Sequence, residues 1–129
     1  MAAPSQTLNL TPLSNQSSIA ASGNADSGAN AVNYSTAYRV HCQVSVTFGT
    51  VAATNGLRVR VFRAVDATTS STFDTIGILD FTITGTASTT TRMPFTLDGG
   101  LYQFRVDNLD ATNAVTNVKI QASTVSSIA

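Results

Sequence analysis

Tyr38-Arg39-Val40-His41-Cys42-Gln43-Val44-Ser45-Val46-Thr47-Phe48 decides the fold. Tyr38, Val40, Cys42, Val44, Val46 and Phe48 alternate with Arg39, His41, Gln43, Ser45 and Thr47. Apolar/polar alternation with period two puts one face of a strand in a core and the other outside it. The pattern recurs downstream. Leu57, Val59 and Val61 alternate with Arg58 and Arg60, with Phe62 pointing the same way as the arginines. Leu79, Phe81 and Ile83 define a strand spanning about 73–84, in which Ile76 and Ile78 lie on the opposite parity and Gly77 marks a bulge or a change of sheet. Met93, Phe95 and Leu97 alternate next, then Tyr102, Phe104 and Val106, and finally Val118, Ile120 and Ala122. Seven or eight short strands separated by Gly, Asn, Asp, Ser and Thr predict an all-β, two-sheet antiparallel sandwich, jelly-roll or immunoglobulin-like.

Composition agrees with strands and disfavours helices. Ser and Thr make up about a quarter of the 129 residues, and they compete with helical backbone bonding. Thr and Val favour the pleated surface of a sheet. The length suits one domain with a real core. Charged residues are 11% of the chain, against about 25% in an ordinary domain. The formal net charge is zero. A chain that must stay dispersed usually keeps its net charge away from zero, so a neutral Ser/Thr/Ala/Asn surface predicts burial in an assembly.

Residues 1 to about 35 read as an extended N-terminal arm, with the sandwich over 36–129. Leu8, Leu10 and Leu13 suggest a short strand ended by Pro12, and the stretch from Ser14 to Asn33 holds few large apolar residues beyond Ile19 and Val32. Asn55-Gly56 marks a turn, 66–72 a polar loop, and Asp98-Gly99-Gly100 another turn. Asp98-x-Gly100-x-Tyr102 has the spacing of the tyrosine corner, in which a tyrosine hydroxyl bonds backbone upstream. A plain hairpin ending in an inward tyrosine accounts for the same residues. No apolar run has the length of a membrane span, and the first residues lack a basic region followed by an apolar stretch, so a cytoplasmic start is expected.

Candidate chemistry is sparse. Cys42 is the single cysteine and lies on the apolar face of its strand, which predicts a buried, inert thiol and excludes a disulfide framework or a cysteine-built zinc site. His41 is the single histidine, and strand parity turns it away from Cys42. No nucleophile elbow supports a serine hydrolase. Asp107, Asp110 and Asn113 offer oxygen atoms to calcium around one loop, but without the glycine and terminal carboxylate of an EF-hand, and Asx-turn chemistry explains them equally. Asp98-Gly99-Gly100 is no phosphate loop, since no Lys-Ser/Thr follows. No cofactor is expected.

Arg39, Arg58, Arg60 and Arg63 lie in the first half, while every acid except Asp26 lies at or after Asp66. A nucleic-acid binder carries a larger cationic excess and, for single strands, stacking aromatics, so no nucleic-acid partner is expected. Oppositely charged halves suit patches that complement each other between subunits. The predicted interface residues are Arg39, Arg58 and Arg60 on this ground, together with Leu8, Leu10 and Ile19 of the N-terminal arm.

The stretch Met93-Pro94-Phe95-Thr96-Leu97-Asp98-Gly99-Gly100-Leu101-Tyr102-Gln103-Phe104-Arg105-Val106 resembles segments of small β-sandwich structural proteins of tailed bacteriophages, in which a strand ends in a Gly pair and a Tyr-bearing strand returns. The Thr/Ala/Ser-rich composition and the low-complexity N-terminal region are similar too. The resemblance implies a virion component, foremost a capsid decoration (cement) protein that bridges neighbouring subunits of the major capsid protein. It also implies homo-oligomers, trimers above all, acting through many weak contacts made multivalent. Deleting residues 2 to about 33 is then expected to abolish particle binding and leave a folded domain. A tail or fibre subunit is the nearest alternative. A carbohydrate- or receptor-binding module is another, with Tyr34 and Phe62 as its exposed aromatics.

Overall fold

The strictest period-two segments become paired strands. The computed structural model describes residues 5–28, 30–65 and 73–126. They form nine strands: β1 (Gln6–Ile19), β2 (Asn24–Asp26), β3 (Val32–Asn33), β4 (Ala37–Phe48), β5 (Leu57–Arg63), β6 (Leu79–Ile83), β7 (Thr90–Asp98), β8 (Leu101–Asn108) and β9 (Val115–Ser126). No helix occurs among the described residues. One sheet, here sheet A, runs β1-β9-β4-β7; the other, sheet B, runs β2-β8-β5-β6, with β3 also on β8.

Every pairing is antiparallel, and the pairs are nested. β5 meets β6, β4 meets β7, β2 and β3 meet β8, and β1 meets β9. The chain is thus one long ribbon doubled back between β5 and β6 and then rolled, which adds the pairings β4–β9 and β5–β8. Setting aside the two-residue β3, this is the strand order of a jelly roll, and it decides between the two sandwich types that strand number leaves open.

The predicted alternation fills the space between the sheets. Val40, Cys42, Val44, Val46 and Phe48 come from β4, and Val118, Ile120 and Ala122 from β9. Leu57, Val59 and Val61 from β5 and Tyr102, Phe104 and Val106 from β8 meet them from sheet B. Tyr102, Phe48 and Phe104 are the largest side chains fully withdrawn from solvent. Burying this apolar area drives the two sheets together.

The N-terminal region differs from a detached arm. Its residues build β1, β2 and β3, and Leu13 and Ile19 are 1% and 4% exposed in the core. Strand β1 escapes a periodic reading because three register shifts against β9 break its alternation, with Asn9 at φ 62°. Such bulges twist a strand, and an edge position tolerates Pro12 within it. Two smaller differences follow from local geometry. Tyr38 lies beside the register shift between Ala37 and Arg39 and is 65% exposed, not inward. Strand β6 begins at Leu79, and Phe73 makes a lone bridge to Ala64. The loop predicted at 66–72 lies outside the described residues.

The turn at Asp98-Gly99-Gly100 joins sheet A to sheet B, so β7 and β8 form a corner and not a hairpin. The Tyr102 hydroxyl donates to the Asp98 carbonyl at 2.6 Å, the bond the tyrosine-corner spacing predicts. At Gly99 a Cβ would meet the Ala37 carbonyl oxygen at 1.9 Å, so only glycine lets β7 pass this close to the start of β4.

Candidate functional site

The two outer faces of the sandwich differ in how they treat charge. On sheet B, Asp80 lies opposite Arg60 and diagonal to Arg58, while Asp107 lies opposite Arg58. The Arg58 guanidinium donates to both Asp80 oxygens, at 2.9 and 2.6 Å. This bidentate contact holds the Asp80 carboxyl below its ordinary pKa. Arg60 donates to Asp107 at 2.6 Å, and Arg105 to the other oxygen of the same carboxylate at 3.2 Å. Arg60 also lies over the Phe62 ring at 5.5 Å. Arg58, Arg60 and Arg105 of sheet B thus each have a carboxylate partner on a neighbouring residue of the same sheet.

Sheet A leaves its charges open. Strand β4 presents Arg39, His41, Gln43, Ser45 and Thr47 outward, between β7 and β9. Ser45 faces Arg92 on one side and Lys119 on the other. Among the described residues neither cation has a carboxylate partner. Asn15, Ser45, Thr47, Thr90, Arg92, Asn117 and Lys119 line a shallow cleft of about 400 Å³. A second depression of about 380 Å³ continues along β4, bordered by Leu8, Asn9, His41, Gln43, Pro94, Gln121 and Ser123. Polar groove and free cations make this face the candidate binding surface.

The predicted interface residues divide between these environments. Leu8 is 58% exposed at the groove, and Arg39 is exposed on the same sheet, 5.9 Å from the Tyr38 ring centroid. Ile19 belongs to the core, and Leu10 packs against it while staying partly exposed. Arg58 and Arg60 find their carboxylates within the same chain, because the rolled topology brings Asp80 and Asp107 onto strands flanking β5. Two arginines of the first half thus meet two aspartates of the second half on one face of the same chain.

The candidate catalytic and ligating groups are occupied elsewhere. Burial pushes the Cys42 thiol up to about 12, which leaves it protonated at neutral pH. Asp110 is a buried tie between loops: its Oδ1 accepts from the backbone N–H groups of Thr112 and Asn113, each at 2.9 Å, and its Oδ2 from that of Thr54 at 2.9 Å. Those donors hold the Asp110 carboxyl far below the usual range. With Asp107 engaged by two arginines, both carboxylates of this loop are held within the chain, and Asp110 makes the Asx-turn contacts. Of the proposed sugar-platform rings, Phe62 is covered at 8% exposed, and Tyr34 is half-buried against the core, where burial pushes its hydroxyl up to about 12. Arg92, Lys119, Asn15 and Asn117 were not singled out by sequence, since only register across three strands and the bulge in β9 bring them together.

No family model matches the chain, and no curated protein matches its sequence. Among solved structures, the PRD1 vertex protein P5 is 14% identical over 95% of each chain, with a TM-score of 0.48. A family 16 carbohydrate binding module is 16% identical over 91% of this chain and 86% of its own, with a TM-score of 0.46. The K1 cleaved adhesin domain of Lys-gingipain from Porphyromonas gingivalis W83 is 9% identical over 99% of this chain and all of its own, also at 0.46. At these identities and scores function does not transfer, and it rests on the chain's own residues.

Proposed function

We propose that this chain is a non-enzymatic structural subunit of a virus particle, of the capsid-decoration type, which associates with copies of itself and with a capsid surface. One observation carries the assembly part: an unfinished side of the sandwich. Strands β6 and β7 are the free edges of their sheets, and they lie over one another, with the Phe81 and Phe95 rings 5.6 Å apart. Ile78 and Met93, 43% and 37% exposed, leave apolar surface along that seam. Pro94 removes a donor from the β7 edge, which disfavours strand addition and leaves side-chain packing as the mode of contact.

The occupied Cys42, Asp107 and Asp110 support a role without catalysis. Jelly rolls serve in viral capsids and in lectins alike, so the fold agrees with the virion assignment without selecting it. The resemblance of Met93–Val106 to phage structural proteins supplies the particular kind of assembly. Quantitative mass spectrometry of purified particles tests it by counting this chain against the major capsid protein. Hundreds of copies per particle are expected; a handful would move the chain to a tail or fibre, and none would overturn the virion role.

A further inference from the structure

The open face of sheet A carries a feature that an assembly role through the β6/β7 seam does not use. Arg92 and Lys119 flank Ser45 from the two strands beside β4. One strand spacing on each side sets their backbones roughly 10 Å apart. Both side chains line the same cleft, and Ser45, 4% exposed, forms its floor. Two uncompensated cations across one strand repel each other mildly, and an oxyanion between them converts that repulsion into two charge-assisted hydrogen bonds. On sheet B, by contrast, Arg58, Arg60 and Arg105 all have carboxylates at 3.2 Å or less.

The rest of the cleft is built of neutral hydrogen-bonding groups. In β9 the register passes from Ser45–Lys119 to Thr47–Thr116, so the strand holds one extra residue, and Asn117 sits at φ 50°. A bulge re-aims side chains, and a non-glycine residue held at positive φ costs backbone energy that packing elsewhere must offset. Here the result is an Asn amide on the rim beside Lys119, facing Asn15 of the likewise bulged β1. Thr47 and Thr90 close one end through a hydroxyl–hydroxyl hydrogen bond of 2.8 Å. At the other end the groove continues past Gln43, Gln121 and His41.

We infer that this row is a subsite for a saccharide bearing an oxyanion (sulfate, phosphate or carboxylate), with Arg92 and Lys119 holding the anion and Ser45, Asn15 and Asn117 bonding hydroxyls. The volume of about 400 Å³ lies in the range of small-molecule sites. Nucleic acid fits less well, because no Phe, Tyr or Trp lines either depression for a base to stack on, and the chain has no net positive charge.

The test titrates the isotope-labelled full chain with inorganic sulfate, then with a sulfated hexose and its unsulfated parent, following amide resonances. Saturable shifts at Ser45, Arg92 and Lys119 are expected, with the sulfated hexose binding more tightly than sulfate and the parent not at all. Each of Arg92→Gln and Lys119→Gln should weaken binding about tenfold, whereas Arg58→Gln on the opposite face should leave it unchanged. Both cations are on the surface, so unchanged spectra elsewhere will show that the variants fold. Absence of saturable shifts, equal binding of the parent, no gain over free sulfate, or indifference to both substitutions would overturn the assignment. Tighter binding of a single-stranded oligonucleotide at the same residues would overturn it in favour of nucleic acid.

Discussion

At the residue scale, two buried polar side chains fix the ends of the sandwich, and each can be removed almost isosterically. Tyr102 is fully buried, and its hydroxyl is the tie across the β7–β8 corner. Tyr102→Phe keeps the ring and removes the bond, leaving the Asp98 carbonyl one donor short. The expected loss is about 1–3 kcal/mol in urea unfolding at neutral pH, with the slope unchanged. Asp110 acts through its charge. Its folded pKa is lowered, chiefly by the Thr112 and Asn113 N–H groups, so the folded state binds fewer protons than the unfolded chain. The stability this contributes is complete above the ordinary carboxylate pKa of about 3.9 and declines as pH falls below it. Asp110→Asn, which cannot ionise, should therefore melt at a lower temperature than the parent protein at pH 7. The difference should shrink steadily in melts carried below about pH 4. A gap independent of pH would show that the carboxylate charge is not what ties Thr54 to the β8–β9 loop.

At the element scale, β1 is the strand whose role composition conceals. It covers one side of β9, and Leu13 enters the core from it. Leu13→Ala should cost about 2–5 kcal/mol, as for other large-to-small core substitutions. Removing residues 2–33 takes away β1, β2 and β3 together and strips the partner of β9, so the truncated chain should lose its cooperative thermal transition instead of leaving a folded domain. Circular dichroism on melting decides between the two outcomes. Strands β4, β5 and β8 are legible in the sequence because Val40 to Phe48, Leu57 to Val61 and Tyr102 to Val106 keep strict period two and stand centrally in their sheets. Strand β1 is legible only at its start, where Leu8, Leu10 and Leu13 suggest a short strand; its run through Pro12 to Ile19 is not, because bulges break the alternation and its Ser/Asn-rich edge needs few apolar residues. The tyrosine corner could be read from local spacing. The Arg92–Ser45–Lys119 row could not, since its members are separated in sequence by tens of residues and meet only through register.

At the scale of the whole molecule, the four sides of the sandwich present different surfaces. Sheet B shows a ladder of ion pairs, sheet A an open polar groove, one seam is sealed by contact between β1 and β2, and the other runs between β6 and β7 with Ile78 and Met93 in partial contact with water. Self-association through the last of these makes a specific demand. A charge placed on the seam should separate the subunits without unfolding them, because both side chains are peripheral to the core and surface changes usually shift stability by about 0.5 kcal/mol or less. Light scattering behind size exclusion is expected to give the parent protein a mass that is a multiple of 13.4 kDa. The double variant Ile78→Asp with Met93→Asp should elute at the single-chain mass, with its melting temperature little changed. An isolated aspartate buried against apolar side chains is strongly disfavoured, so even a modest apolar contact cannot absorb two of them in each subunit. A parent protein that already runs as a monomer at high concentration would overturn self-association through the seam. A variant that remains oligomeric would move self-association to another side of the sandwich, and the sheet-A groove, which continues past exposed Leu8, is the next surface with apolar area to offer.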